Sequence, residues 1–407
     1  MTKTIFIFAY YSYKDPIFQS AVLPYFAGLS KSNNFKFVLL TFEQKRFQLS
    51  KTEASKIRKR LFAQNILWYR TYWHSGKFKL VKKSFDFLWG IAFSVFLVLR
   101  YNAKIIYSEG FPGAIIGHFL STITFKPHIV HTFEPHSEYM VEAGVWNKDS
   151  WEYKLSRKYE SKVAANCAVI LTATNKMITK LENIGIKGEI YRVPSCVDTH
   201  IFRFDPQLRA QIRRNHNIRD NECVLTYLGK FGGMYMETEL FDFYRVCKEN
   251  SKIKFKFFLL TSEEESKLFD WIQSRDLIKE DFVIKFVKKE EVPAYLSASD
   301  FGVVAVRQKP SKVYCSPIKD GEYWSCGLPI IIPEGISDDY LFATQHKIGF
   351  TIKDMSKNSF LATVHEIENL FLSQEKHKIR ERCRNFIIKD RSVKNYQPLY
   401  SKIFNKI

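Results

Sequence analysis

Acidic residues are scarce in this chain. Against 62 Lys and Arg stand 42 Asp and Glu, so the formal charge is +20 at pH 7. That balance implies an anionic partner: nucleic acid, a phosphorylated substrate or an anionic membrane. Cysteine pairing is absent too. The seven cysteines (167, 196, 223, 247, 315, 326 and 383) are odd in number and include no C-x-x-C pair. Neither a disulfide framework nor a zinc cluster is supported, and a reducing, cytosolic setting is expected. No apolar run reaches the roughly 20 residues that a spanning helix needs. The most apolar run, residues 87–99, is closed by Asp86 and Arg100. It reads as a buried helix, with a helix lying shallowly in a membrane face as the alternative. The first residues, MTKTIFIFAYYSYKD, have no small-residue cleavage site and read as a β-strand rather than a signal peptide. No internal repeat of fixed short period is visible. What is present suits globular folding. At 407 residues, 46% hydrophobic and 16% aromatic, the chain has material for two or three domains and their cores. Disordered, collagenous and low-complexity classes are excluded.

Short apolar runs alternate with amphipathic stretches in both halves. Strand candidates are residues 4–9, 36–41, 103–107, 128–132 and 169–172, then 223–228, 255–260, 282–286, 302–306 and 329–332. This rhythm predicts parallel sheets with crossover helices, as two doubly wound domains with a seam near Val193-Pro194-Ser195-Cys196-Val197-Asp198. Ligands of such sheets bind beyond the carboxyl ends of the strands, so chemistry is sought in the loops that follow them.

Charge is concentrated. Residues 45–104 contain fourteen basic residues against Glu53 and Asp86, a balance of +12. Leu61, Phe62, Trp68, Tyr69, Tyr72, Trp73 and Phe78 are interleaved with them. Residues 45–99 therefore suit an anionic membrane surface. A solvated helix face over ordinary core aromatics fits equally well. No nucleic-acid motif accompanies the charge.

The most informative stretch runs Ser316-Pro317-Ile318-Lys319-Asp320-Gly321-Glu322-Tyr323-Trp324-Ser325-Cys326-Gly327-Leu328-Pro329. Pro317 suits a first helical position and Gly327 a helix stop. The free amides at such a helix start favour a phosphate, and Lys319 adds a positive charge. Glu322 shares a helix face with Lys319. It can grip a ribose diol, or simply pair with that lysine. Upstream, Gly229-Lys230-Phe231-Gly232-Gly233 follows a strand. Glycines there let the backbone approach a pyrophosphate, though alone they signal little more than a turn. Arg307, Lys309 and Lys312 precede Ser316 and offer further charge, or form a solvated basic loop.

The stretch resembles the C-terminal signature S-P-x-K-x-x-E-Y-x-x-x-G-x-P of glycosyltransferase family 4 and its retaining relatives. The likeness extends over most of the chain. It takes in Asp15-Pro16-Ile17-Phe18-Gln19-Ser20 before Val22-Leu23-Pro24-Tyr25 and Leu40-Thr41-Phe42-Glu43, Val193-Pro194-Ser195-Cys196-Val197-Asp198 with Phe202, Tyr227–Tyr235, and Val292-Pro293-Ala294-Tyr295-Leu296 with Ser299-Asp300. Two departures stand out. Where many members carry the first Glu of an E-x₇-E pair, this chain has Tyr314. Lys230 takes the place of the usual loop Arg, with no Lys after it. In the N-terminal half, His131-Thr132-Phe133-Glu134-Pro135-His136 is similar to the family's F-E-x-H form, which points to His136, with His131 as the alternative.

The resemblance implies a GT-B fold: two Rossmann-like α/β domains facing across a cleft. Residues 1–198 would bind the acceptor and residues 199–374 the nucleotide sugar. Residues 375–407 would form helices packing back toward the N-terminal domain. It implies a retaining transfer from a nucleoside-diphosphate sugar, most simply a UDP-sugar, to a glycan or polyprenyl-linked acceptor. The setting would be lipopolysaccharide or capsule synthesis, in the cytoplasm or peripheral to its membrane. Catalytic roles fall to His136, Lys230, Lys319 and Glu322. Nucleotide contacts fall to Gly229, Gly232, Gly233, Arg307, Lys312, Ser316, Pro317 and Glu322. No metal, further cofactor or nucleic acid is implied. The rival readings are a sugar-nucleotide epimerase or hydrolase on the same fold, and a non-catalytic, membrane-associated sugar-nucleotide-binding subunit.

Overall fold

The computed structural model describes residues 2–30, 34–74, 79–132 and 134–407. Lys77, Phe78 and Phe133, which belong to segments singled out above, lie outside them. The chain divides into two units, Met1–Cys196 with Val393–Ile407, and Val197–Ser392.

Unit 1 is built on seven strands: β1 (Lys3–Ala9), β2 (Phe35–Glu43), β3 (Ile66–Tyr72), β4 (Ile105–Glu109), β5 (His128–Thr132), β6 (Val169–Thr172) and β7 (Glu189–Arg192). All pair in parallel, in the order β3-β2-β1-β4-β5-β6-β7. Its helices are α1 (Leu23–Leu29), α2 (Lys51–Phe62), α3 (Lys79–Arg100), α4 (Phe111–Thr124), α5 (His136–Glu142), α6 (Trp151–Asn166) and α7 (Asn175–Asn183). Unit 2 has six parallel strands: β8 (Glu222–Leu228), β9 (Lys254–Leu260), β10 (Phe282–Lys285), β11 (Phe301–Val303), β12 (Ile330–Pro333) and β13 (Gly349–Ile352), in the order β10-β9-β8-β11-β12-β13. Its helices are α8 (Pro206–Asn215), α9 (Glu239–Asn250), α10 (Glu265–Gln273), α11 (Val292–Ala298), α12 (Ile318–Ser325), α13 (Asp339–Gln345), α14 (Lys357–Leu372) and α15 (Lys376–Asp390). The last helix, α16 (Val393–Lys406), belongs to unit 1, where Tyr400, Ile403 and Phe404 enter the core beside Phe26 and Phe37.

Three strands escape the sequence reading: β3, β7 and β13. Each is an edge strand. β7 (EIYR) is only partly buried along its length, and β3 carries Arg70 and Tyr72 among its apolar residues. Edge strands bury less, so the apolar run that marks a central strand is diluted.

The sheet of unit 1 also separates two segments that the sequence groups together. α2 starts at a capping box of Ser50 and Glu53 and turns Ala54, Ile57 and Leu61 onto the face that holds Ile5, Ile7 and Trp68. α3 packs Leu97 and Val98 onto the opposite face, with Phe6, Phe8 and Phe42. The basic helix and the apolar helix therefore do not form one surface.

Candidate active site

In each unit the strand order reverses once, between β1 and β4 in unit 1 and between β8 and β11 in unit 2. Loops diverge at these points and leave a crevice beyond the strand ends. In unit 2 the crevice is bounded by the loop after β8, the segment after β11, and α12.

The loop after β8 is shaped by Gly232 and Gly233, both left-handed at φ 83° and 63°. Two such residues in succession are costly for any side chain but glycine. The loop is fastened to the segment after β11. Met236 N–H donates to the Ala305 carbonyl (2.8 Å) and Arg307 N–H to that of Met234 (3.0 Å). The Arg307 guanidinium meets Glu237 at 3.2 Å and Glu239 at 3.3 Å. Its charge is thus balanced by two carboxylates that no motif marks in the sequence. Lys230 is exposed, with no ion-pair partner among the described residues, while Lys309 is exposed and Lys312 and Ser316 are buried.

α12 is held against both strands by Tyr323. Its hydroxyl accepts from Leu228 N–H (2.8 Å) and lies 3.5 Å from the Val303 carbonyl. The ring sits so close to β11 that a Cβ on Gly302 would come within 2.5 Å of it. Pro317 is the N-cap, one residue earlier than the sequence predicts, and supplies no side-chain cap. The first-turn amides of α12 are thus left without the side-chain acceptor that a Ser or Asp cap provides. Lys319 and Glu322 pair at 2.8 Å on this helix, the lysine half-exposed and the glutamate buried.

Behind α12 lies a buried polar network. Arg391, fully buried, donates to the Pro317 carbonyl (3.1 Å) and pairs with Asp339. Asp320, buried in the first turn of α12, has its carboxyl raised well above the usual range by burial and then by Asp339. As two carboxylates, Asp320 and Asp339 leave oxygens without partners. A proton on Asp320 lets its hydroxyl donate to Asp339, which gives the orphaned Asp339 oxygen a partner. Such residues give no motif signal, since they sit far apart in sequence and face inward.

In unit 1 the two candidate histidines differ. His131 lies inside β5, fully buried, with Nδ1 3.2 Å from Glu109 and Nε2 3.3 Å from the Val193 carbonyl. Both ring nitrogens serve the core. His136 begins α5 and packs between Phe111 and Trp146, each with ring centres 5.6 Å away. Burial pulls its imidazole down to about 4, so it is neutral at pH 7. It borders a cavity of about 150 Å³ with an apolar floor that includes Val130, Ile170 and Met177. Glu160 fixes the first turn of α5, accepting from Ser137 N–H and Oγ–H, both at 2.7 Å. Glu138 pairs with Lys180 (2.8 Å) beside it.

The topology thus places Gly229, Lys230, Gly232, Gly233, Arg307 and the start of α12 beyond the carboxyl ends of the strands of unit 2, and His136 in unit 1. Tyr314 ends a short 3₁₀ turn before Ser316. Among the described residues no group of three or more His, Cys, Asp or Glu is placed to hold a metal ion.

No protein-family model matches the chain, and no curated sequence matches it. Solved structures do. HepE from Anabaena, in complex with UDP, has a TM-score of 0.73 at 12% identity, covering 100% of both chains. Sucrose-phosphate synthase from Thermosynechococcus elongatus has a TM-score of 0.73 at 11% identity, over 100% of this chain and 99% of that one. A glycosyltransferase from Rickettsia africae has a TM-score of 0.72 at 13% identity, over 100% of this chain and 98% of that one. The chain has the α/β, two-sheet fold of these GT-B proteins.

Proposed function

We propose that the protein is a glycosyltransferase that uses a nucleoside-diphosphate sugar, with UDP as the nucleotide, and transfers its sugar to a glycan or lipid-linked acceptor with retention of configuration. The observation that carries this reading is the start of α12. There, amides without a side-chain cap, a lysine and a buried glutamate stand at the switch point of a parallel sheet, beside a two-glycine loop. A UDP complex of a protein with the same fold supports it.

In this reaction the bond from the anomeric carbon to the diphosphate oxygen breaks. The acceptor hydroxyl oxygen bonds to that carbon, and its proton passes to the departing phosphate. The main demand is neutralisation of charge on the leaving group. Lys319, Lys230, the loop amides and the α12 amides supply it. Glu322 accepts from the ribose hydroxyls. Without nucleotide, Lys319 and Glu322 satisfy each other; nucleotide exchanges that pair for phosphate and ribose. Arg307, already balanced by two carboxylates, shapes the loop rather than adding net charge. Neutral His136 positions a sugar or acceptor hydroxyl. Cell-surface polysaccharide synthesis is the setting we assign.

The test is transfer from a panel of labelled nucleotide sugars to glycan and polyprenyl-phosphate acceptors, with anomeric configuration read by NMR. Acceptor-dependent product of retained configuration supports the proposal. Turnover without acceptor would point to an epimerase or hydrolase, and tight binding with no turnover to a non-catalytic subunit.

A further inference from the structure

α3 is strongly apolar on the side that faces away from the sheet. At 100° per residue, Asp86, Gly90, Ser94 and Leu97 fall on one side, and these are buried against the sheet. The opposite side carries Val81, Phe85, Leu88, Ala92, Phe96 and Leu99, and all of these are exposed. Val81, Leu88 and Leu99 are 70%, 69% and 66% accessible. Trp89 also lies open and stacks on Phe93, which stacks on Phe96. A soluble helix turns polar residues outward. This one presents an apolar stripe from Val81 to Leu99, about 27 Å long at 1.5 Å per residue.

The stripe continues on α4. Both helices lead from the carboxyl end of one parallel strand to the start of the next, and they pack side by side. Their C-terminal ends therefore lie at the same end of the sheet, beside the amino ends of β4 and β5. There α4 closes on Phe125, left-handed at φ 54° and 91% exposed, where glycine or asparagine is usual. Ile123 is exposed next to it.

Charge identifies what covers this surface. Between residues 79 and 104 there are five basic residues and one acid. That acid, Asp86, is buried, accepting from His74 N–H at 2.8 Å and pairing with its ring. At the far end Arg100 lies over the rings of Phe96 and Tyr101, and Lys36 over Tyr101. An apolar stripe ending in long cations over aromatic rings matches the headgroup–acyl boundary of an anionic bilayer. No helix among the described residues is long and apolar enough to cross a membrane.

We propose that the outward face of α3, with Ile123 and Phe125, docks unit 1 on an anionic lipid bilayer, the helix lying in the plane of the interface. The basic helix α2, on the opposite face of the sheet, is not the docking element. The proposal rests on unit 1 alone and stands or falls independently of the nucleotide-sugar reading.

The experiment is sedimentation of the full chain, without nucleotide, with vesicles of phosphatidylcholine alone or with 30% phosphatidylserine. The wild type is compared with Leu88→Ser/Phe96→Ser and with Lys56→Glu/Lys59→Glu on α2. Thermal melts show that each variant is folded, and the surface positions of all four residues make this the expected result. The wild type should bind the anionic vesicles, keep part of that binding at high salt, and lose at least about tenfold in affinity in the α3 variant. The α2 variant should retain the salt-resistant part. Absence of wild-type binding, or unchanged binding by the α3 variant, overturns the proposal. So does a wild-type dimer that the α3 substitutions convert to monomer without any vesicle binding, because a second copy then covers the stripe.

Discussion

Glu322 and Lys319 are the residues on which the nucleotide reading turns. Glu322 is buried and Lys319 is half-exposed, 2.8 Å from it. Glu322→Ala should weaken binding of a nucleoside diphosphate by roughly ten- to a hundredfold, the loss of charge-assisted hydrogen bonds to ribose. Lys319→Ala should reduce kcat by about 10²-fold or more while changing ground-state affinity less, since the phosphate charge peaks in the transition state. Calorimetry and single-turnover rates separate the two. His136 gives a pH test. Its folded value near 4 lies below the ordinary 6.5, so the neutral ring is favoured in the fold. The stability it contributes is present above about pH 6.5 and is lost as pH falls through 4. Transfer should be insensitive to this group from pH 6 to 8, and His136→Ala should lower it roughly ten- to a hundredfold at every pH in that range. A wild-type profile with an inflection near 6.5 that disappears in His136→Ala would show that the ring titrates normally. The two histidines illustrate the reach of sequence reasoning. The spacing of Phe133, Glu134 and His136 singles out one, but only the Glu109 and Val193 contacts show that His131 serves the core.

At the scale of elements, α12 is held by a glycine as much as by its own side chains. Gly302 leaves room for the Tyr323 ring, which joins the helix to β8 and β11. Gly302→Ala should cost about 1–3 kcal/mol by overpacking and should also weaken nucleotide binding, because α12 and Leu228 shift together. Chemical denaturation and ligand titration measure the two effects, and a loss of stability with unaltered binding would detach Tyr323 from the site. Central strands such as β1, β8 and β12 are legible in sequence because they are continuous apolar runs. α12 is legible from its Ser-Pro start and Gly327. The Arg391–Asp339–Asp320 network behind it is not, because its members join α15's end, α13 and α12 across long sequence gaps. The outward face of α3 is legible only as an alternative: an apolar run reads as a buried helix or as one lying in a membrane face until it is known which side meets the sheet.

For the whole molecule, acid stability should depend on one buried hub in unit 2. Burial would raise the Asp300 carboxyl, but Arg209, Lys376, Arg380 and Arg213 outweigh it and bring the group from 3.8 to about 2. A depressed carboxylate stabilises the fold above its unfolded value, so about 2 kcal/mol should be lost between pH 4 and pH 2. Asp300→Asn should flatten that part of the pH–stability curve; an unchanged slope in denaturant titrations would show that Asp300 does not set it. Whether this fold serves a nucleoside-diphosphate sugar is decided by thermal unfolding of the wild type and Glu322→Ala with UDP, UDP-sugars and other nucleotide sugars. A ligand at a hundred times its Kd adds about 2.7 kcal/mol. The wild type should show a clear rise in Tm with at least one nucleoside-diphosphate sugar, much reduced in a folded Glu322→Ala. No stabilisation by any nucleotide or nucleotide sugar, or equal stabilisation of both proteins, would contradict it.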